Sequence, residues 1–269
     1  MDYAIRREVA DRLARIELPF NRDGIDPYGI DRTHLGLFFN LLGWFQKRYF
    51  RFEASGMENI PAAGRGMLVG NHSGGYAIDA GMVIAACFFH KDPPRLAQGM
   101  AEKFINALPF ASLWTNKAGQ FTGLPEHAER LLEAERLLMV FPEGVHGTAK
   151  LFHERHSLVK FGTGFVRLAL KTKTPIIPFG FVGAGEALPT VMNLYKLGRL
   201  VGMPYIPVTP YLLPLPLPAT LRVHFGEPMH FEGTGTEDDS VIHEMVERVR
   251  LRIAAIMEET RKISAGEPQ

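Results

Sequence analysis

The sequence predicts an α/β fold: a mostly parallel central sheet flanked by helices, preceded by an N-terminal helical segment. Three observations lead there. Short apolar runs at residues 67–70, 137–141 and 175–182 read as buried strands. Segments with helical spacing separate them, at 80–89, 125–136 and 161–171, the alternation that builds a parallel sheet. Finally, 46% apolar and 22% charged residues over a length of 269 suit a folded chain of one large domain or two small ones.

Along the N-terminal stretch, Ile5, Val9, Leu13 and Ile16 recur at helical spacing, so residues 4–17 should form an amphipathic helix. Residues 21–31, rich in Asp, Gly and Pro, read as a loop. Residues 34–51 read as a helix that is apolar nearly all round. Only Gly36, Asn40, Gly43 and Lys47 differ, and they fall on one narrow strip. Such a helix is buried or lies in lipid. Its uncharged run, 35–45, is well short of the roughly 20 residues that a span needs. Trp44, Lys47, Arg48, Tyr49 and Arg51 cluster at one end, as at a membrane interface. A core helix and an interfacial helix both fit. The expected organisation is therefore a helical, membrane-associating segment over 1–51 and an α/β domain over 52–269.

Residues 57–66 read as a connector and 67–70 as the first strand. A helix over 80–89 follows, with Asp79 as its N-cap. Residues 91–94 stop that helix, 95–100 suggest a second strand, and 104–121 are irregular and apolar. Proline at 125 suits a first helical turn. The strand at 137–141 ends at Pro142-Glu143-Gly144, and 145–150 read as a loop. Residues 201–220 carry no charge but six prolines, so they form an extended apolar loop that packs on the body or offers a sticky surface to lipid. Residues 221–225 alternate as a half-exposed strand. Residues 239–262 form a long amphipathic helix with Ile242, Val246, Val249, Ile253 and Ile256 on its apolar face.

The chemistry sits in two turns. In a parallel sheet, the ends of 67–70 and 137–141 share the carboxyl edge, where open α/β sheets build their sites. His72 is a general-base candidate if a carboxylate holds its second ring nitrogen, and Asp79 is the nearest one. Gly74 and Gly75 let the chain fold back and a substrate approach the backbone. The bland alternative is a buried histidine and a helix cap. Glu143 could anchor a substrate hydroxyl or a basic side chain, or be a solvated loop carboxylate. Lys117, His146, Lys150, Arg155 and Lys160 could meet a phosphate or a coenzyme A tail, or be solvated loop charges.

Other classes are disfavoured. A net charge of +1 argues against nucleic acid. The one cysteine, Cys87, excludes an intrachain disulfide framework and a cysteine-rich metal site. His153 and His156 lack a third ligand nearby, so no metal is expected. The nucleophile elbow, the phosphate loop and the zinc-protease motif are absent. The N-terminus is polar, with no signal-peptide core.

Asn71-His72-Ser73-Gly74-Gly75 with Asp79, then Phe141-Pro142-Glu143-Gly144, then Pro175-Ile176-Ile177-Pro178, resemble the ordered blocks of the lysophospholipid/glycerol-phosphate acyltransferase superfamily. The closest flavour is the branch similar to monoacylglycerol and diacylglycerol acyltransferases. The likeness runs from about Phe52 to Pro228. It implies the acyltransferase fold and acyl transfer from acyl-CoA, or another acyl thioester, to a hydroxyl of a glycerolipid or lysophospholipid. It implies His72 as the base and Asp79 as the group that orients it. It places substrate contacts at Ser73, Gly74, Gly75, Lys117, Gly119, Phe141, Pro142, Glu143, Gly144 and His146. No cofactor is implied beyond acyl-CoA as co-substrate, and the partners are a lipid acceptor and a membrane surface, met peripherally on the cytoplasmic face. The chain departs from the family in two ways. Six residues, not the usual four, separate His72 from Asp79, so the Gly74-Gly75 turn must absorb two more. The family's phosphate-binding arginines are missing, which favours a neutral or unusual glycerolipid as acceptor over a phosphorylated one. A catalytically idle lipid-binding protein of the same fold, and a hydrolase releasing fatty acid, are the alternative functions.

Overall fold

In chain order the computed structural model holds α1 (Arg7–Leu13), α2 (Arg32–Trp44), β1 (Arg51–Ser55), β2 (Gly66–Gly70), α3 (Ile78–Phe89), β3 (Ala97–Ala101) and β4 (Phe121–Thr122). Then follow α4 (Pro125–Glu133), β5 (Leu137–Val140), α5 (Gly164–Thr172), β6 (Ile176–Val182), β7 (Met192–Leu194), β8 (Ile206–Val208), β9 (Thr220–Phe225) and α6 (Asp239–Ala265). The structure describes residues 4–74, 77–101, 115–122, 124–212 and 215–265. Gly75, Trp114 and most of the stretch 104–121 lie outside them.

Seven strands form one sheet in the order β1-β9-β6-β2-β5-β3-β4. Five of them, β6, β2, β5, β3 and β4, run parallel. Strand β9 is antiparallel to β6, and β1 is parallel to β9. The fold is therefore α/β with a mostly parallel sheet. Its central strands are apolar at every position because helices cover both faces. Leu68, Leu137, Met139, Ile177 and Phe179 pack toward α1, α2 and α3. Met67, Val69, Leu138, Val140 and Ile176 pack toward α4, α5 and α6.

Helix α2 belongs to the first of these layers. Asp31 caps it, accepting from His34 N–H at 2.9 Å. The polar-and-glycine strip of α2 is not a solvent face but a packing seam. A Cβ at Gly36 would lie 2.5 Å from the Ile5 side chain, and one at Gly43 2.8 Å from the Phe89 ring. Asn40 accepts from Arg6 N–H at 3.0 Å and donates to the Ala4 carbonyl at 2.6 Å, and Lys47 pairs with Glu8. Phe39 stacks on Phe88, centroids 3.6 Å apart. The helix is thus a core helix along most of its length, with Leu41 and Trp44 exposed. Past Trp44 it continues as a wider turn, Phe45–Tyr49, rather than to residue 51.

Among the described residues no helix is long and apolar enough to cross a membrane. The charge-free stretch after residue 200 forms no helix among the described residues, and it contributes β8, which pairs with β7 in a separate antiparallel ribbon. Strand β1 and the two-residue β4 were not apparent from the sequence. Residues 145–150 are not purely loop, since Val145–Thr148 form one helical turn.

Candidate active site

Strand β2 ends at Gly70 and β5, its parallel neighbour, at Val140. The two loaded turns therefore emerge side by side on the carboxyl edge. Asn71 fastens the first of them to β6. Fully buried, it donates to the Phe181 carbonyl at 2.9 Å and accepts from Phe181 N–H at 2.7 Å.

His72 lies next, its side chain 12% exposed. Its Nδ1 is 2.8 Å from Asp79 Oδ2, and the Asp79 side chain is fully buried. The same oxygen accepts from Ser73 N–H at 2.8 Å, and Oδ1 accepts from Ala80 N–H at 2.8 Å. The six-residue gap is closed by backbone geometry. Gly74 has φ +72°, and Ala77 enters α3 with φ +53°. Gly74 also sits so close to the turn after β6 that a Cβ there would lie 2.4 Å from the Ala184 carbonyl oxygen. Asp79 is consequently not the N-cap of α3. That place falls to Ala77, and the carboxylate lies in the first turn, aimed back at the His72 loop. A carboxylate in a helix's first turn is also favoured by the helix dipole.

The imidazole stacks on Phe141, centroids 4.1 Å apart and planes 17° from parallel. Glu143 is 3% exposed, and protein groups occupy both its oxygens. Oε1 accepts from His72 N–H at 2.8 Å and Oε2 from Val159 N–H at 2.8 Å. Lys150 Nζ lies 2.6 Å from Oε2 and donates to the His72 carbonyl at 3.0 Å. Glu143 thus holds the His72 backbone from the neighbouring turn, instead of presenting a free carboxylate. Pro142 accepts from Gly162 N–H at 2.9 Å, and Gly144 N–H donates to the Phe141 carbonyl at 3.0 Å, closing the turn.

Other expected residues are dispersed. His146 is exposed on the short helical turn. Lys117 and Gly119 do not join the His72 cluster. Gly119 is level with Gln98 at the β4 edge and lines a cavity of about 380 Å³ that does not include His72. Strand β4 is three strands from β2, about 14 Å at the usual strand spacing. Gly75 lies outside the described residues.

Two further contributors carry no local signal in the sequence. A Cβ at Gly147 would lie 2.7 Å from His72 Cβ and 2.9 Å from Glu143 Cβ, so only glycine fits between the two turns. Lys150 was visible only as one of several cations; the topology makes it the buried partner of Glu143. Chemically, a buried carboxylate on Nδ1 fixes the tautomer and orientation of the ring and supports a positive charge there, while Nε2 is left for a proton in transit.

Residues 51–182 match the Acyltransferase family model. An uncharacterized protein of Mycobacterium bovis is 37% identical over 238 residues, covering 84% of this chain and 66% of that protein. A Bos taurus protein named DGAT1/2-independent enzyme synthesizing storage lipids is 26% identical over 214 residues, covering 79% of this chain and 60% of that protein. The chain therefore spans less than two thirds of the length of these curated relatives. The crystal structure of the 1-acyl-sn-glycerophosphate acyltransferase PlsC from Thermotoga maritima has the same fold. It superposes with a TM-score of 0.56 at 15% identity, covering 92% of this chain and 87% of that one. With the ordered motifs gathered on one sheet edge, these likenesses place residues 51–182 with the Acyltransferase family and support the glycerolipid acyltransferase superfamily.

Proposed function

We propose that the protein transfers an acyl group from acyl-CoA, or another acyl thioester, to a hydroxyl of a glycerolipid at a membrane surface, with His72 as general base. The observation that carries this reading is the 2.8 Å contact between His72 Nδ1 and the buried Asp79 carboxylate, at the carboxyl edge. His72 Nε2 takes the proton from the acceptor hydroxyl. The oxygen attacks the thioester carbonyl carbon, the carbon–sulfur bond breaks, and the departing thiolate takes the proton back from the imidazolium. The products are the acylated lipid and free CoA. Asp79 stabilises the imidazolium formed between these steps. Glu143 and Lys150 hold the His72 backbone and do not touch the reacting atoms.

A neutral acceptor fits better than a phosphorylated one. His146, which follows the glutamate block, stands where the resemblance leads one to expect a phosphate-binding arginine. The storage-lipid name of the bovine relative points the same way. The test is purified protein with long-chain acyl-CoA and a panel of monoacylglycerol, diacylglycerol and lysophosphatidate, following CoA release and the acylated product. Acceptor-dependent release with the neutral lipids supports the reading. Release without acceptor identifies a thioesterase. No turnover with any acceptor, while vesicle binding persists, identifies a catalytically idle lipid-binding protein.

A further inference from the structure

The carboxyl edge carries more than the His72 cluster. Strand β6 leaves it at Val182, and the chain returns at β9, whose Arg222 pairs with Val182. The connection between them therefore leaves from and returns to this edge. Strand β1 starts at the same level, with Arg51 beside Thr220, so the C-terminal end of α2 arrives there too. The two segments touch: Tyr49 donates to the Pro216 carbonyl at 2.5 Å, and Trp44 stacks on Tyr49 with centroids 5.7 Å apart. The segment after β6 is closed on itself and tied to the turn that follows Glu143. Leu217 N–H donates to the Ala187 carbonyl at 2.6 Å, and Asn193 donates to the Ala149 carbonyl, beyond Glu143, at 2.6 Å.

This edge is unusually apolar. Of the 19 exposed large apolar side chains among the described residues, nine fall between residues 191 and 217, and Leu41 and Trp44 add two more. Leu200 is 81% exposed and Leu212 80%. Scattered exposed leucines are ordinary, but such a concentration beside a site marks a docking surface. The charge pattern selects the occupant. From residue 187 to 226 there is no Asp or Glu. Arg48, Arg51, Lys196 and Arg199 are exposed and form no ion pair among the described residues. A second copy docked here would set these cations against their equals, whereas an anionic bilayer neutralises them.

We infer that this edge is the face by which the protein lies on an anionic lipid surface. Leu200 and Leu212 enter the headgroup region, and Arg48, Lys196 and Arg199 meet lipid phosphates. The inference rests on the lipid-acyltransfer reading for its purpose, since it opens His72 toward the bilayer that holds the acceptor.

The experiment is flotation of the full chain with phosphatidylcholine vesicles, with and without phosphatidylglycerol. It compares wild type, the triple variant Arg48→Glu/Lys196→Glu/Arg199→Glu and the double variant Leu200→Glu/Leu212→Glu. Turnover is measured in parallel on vesicle-borne long-chain substrates and on a water-soluble short-chain thioester and monoacylglycerol. Wild type should prefer phosphatidylglycerol. The charge variant should lose about tenfold or more of that binding, and the apolar variant should lose binding to both vesicles. Vesicle turnover should fall in step, with soluble turnover kept as proof of an intact fold. Variants that bind and turn over like wild type overturn the inference. So does a wild-type dimer that both variants split, which would give the face to a second copy. Face-dependent vesicle binding without turnover of either substrate pair leaves the docking face standing and removes the acyl-transfer reading instead.

Discussion

Asp79 is fixed by more than His72. Its carboxylate collects the imidazole and two backbone N–H groups, so its geometry is set before any substrate arrives. Asp79→Asn keeps the shape but turns one acceptor into a donor, facing groups that themselves donate. Acyl transfer should then fall about 10²–10⁴-fold in kcat, while acyl-CoA affinity is retained; steady-state kinetics beside a direct binding titration separates the two. Gly147 makes a sharper case, since a single methyl group there meets His72 Cβ at 2.7 Å. Gly147→Ala should shift the imidazole and lower kcat by about 10²-fold, the usual cost of displacing a reacting group by about 1 Å, in a protein that still folds by circular dichroism. Lys150 acts through Glu143. Lys150→Met leaves a buried carboxylate unpaired and should cost about 3–5 kcal/mol in urea unfolding. At this scale the sequence displayed His72, Asp79 and Glu143 because their turns interrupt apolar runs. It could not display Gly147 or Lys150, whose roles exist only once two turns distant in sequence are side by side.

Helix α2 illustrates what a pattern conceals. Its strip of Gly36, Asn40, Gly43 and Lys47 is legible in the sequence, but periodicity alone does not say which side of a nearly all-apolar helix faces a neighbour. The small residues mark the seam because Ile5 and Phe89 approach too closely for a Cβ. Gly43→Leu should therefore destabilise by about 1–3 kcal/mol through overpacking, seen as a lower thermal midpoint. In α3, burial pushes the Cys87 thiol from 9.0 up to about 12. The folded state thus holds this proton more tightly than the unfolded chain. The resulting stability is complete below about pH 9.0 and is lost as pH rises toward about 12. Cys87→Ala should decline less steeply than wild type in unfolding midpoint above pH 9.0. The edge strands β1 and β4 and the β7–β8 ribbon were hidden for a different reason. They are short or half-exposed, and strand pairing across long sequence gaps leaves little local signal.

For the molecule as a whole, the central sheet was the legible part, because both its faces are covered and its strands are apolar without interruption. Its parallel order puts β2 beside β5, which turns two separate motifs into one site. The same order carries Gly119, just ahead of β4, to the far edge, a separation that spacing along the chain does not reveal. In the proposed reaction His72, held by Asp79, removes the proton from a lipid hydroxyl during acyl transfer. Its most direct test is the initial rate of acylated-acceptor formation from acyl-CoA by wild type and His72→Ala, both shown folded by equal thermal midpoints. With His72 as the base, wild type should form acceptor-dependent product and the variant should lose about 10²–10⁴-fold of that rate. A folded His72→Ala protein that forms product at the wild-type rate would contradict it.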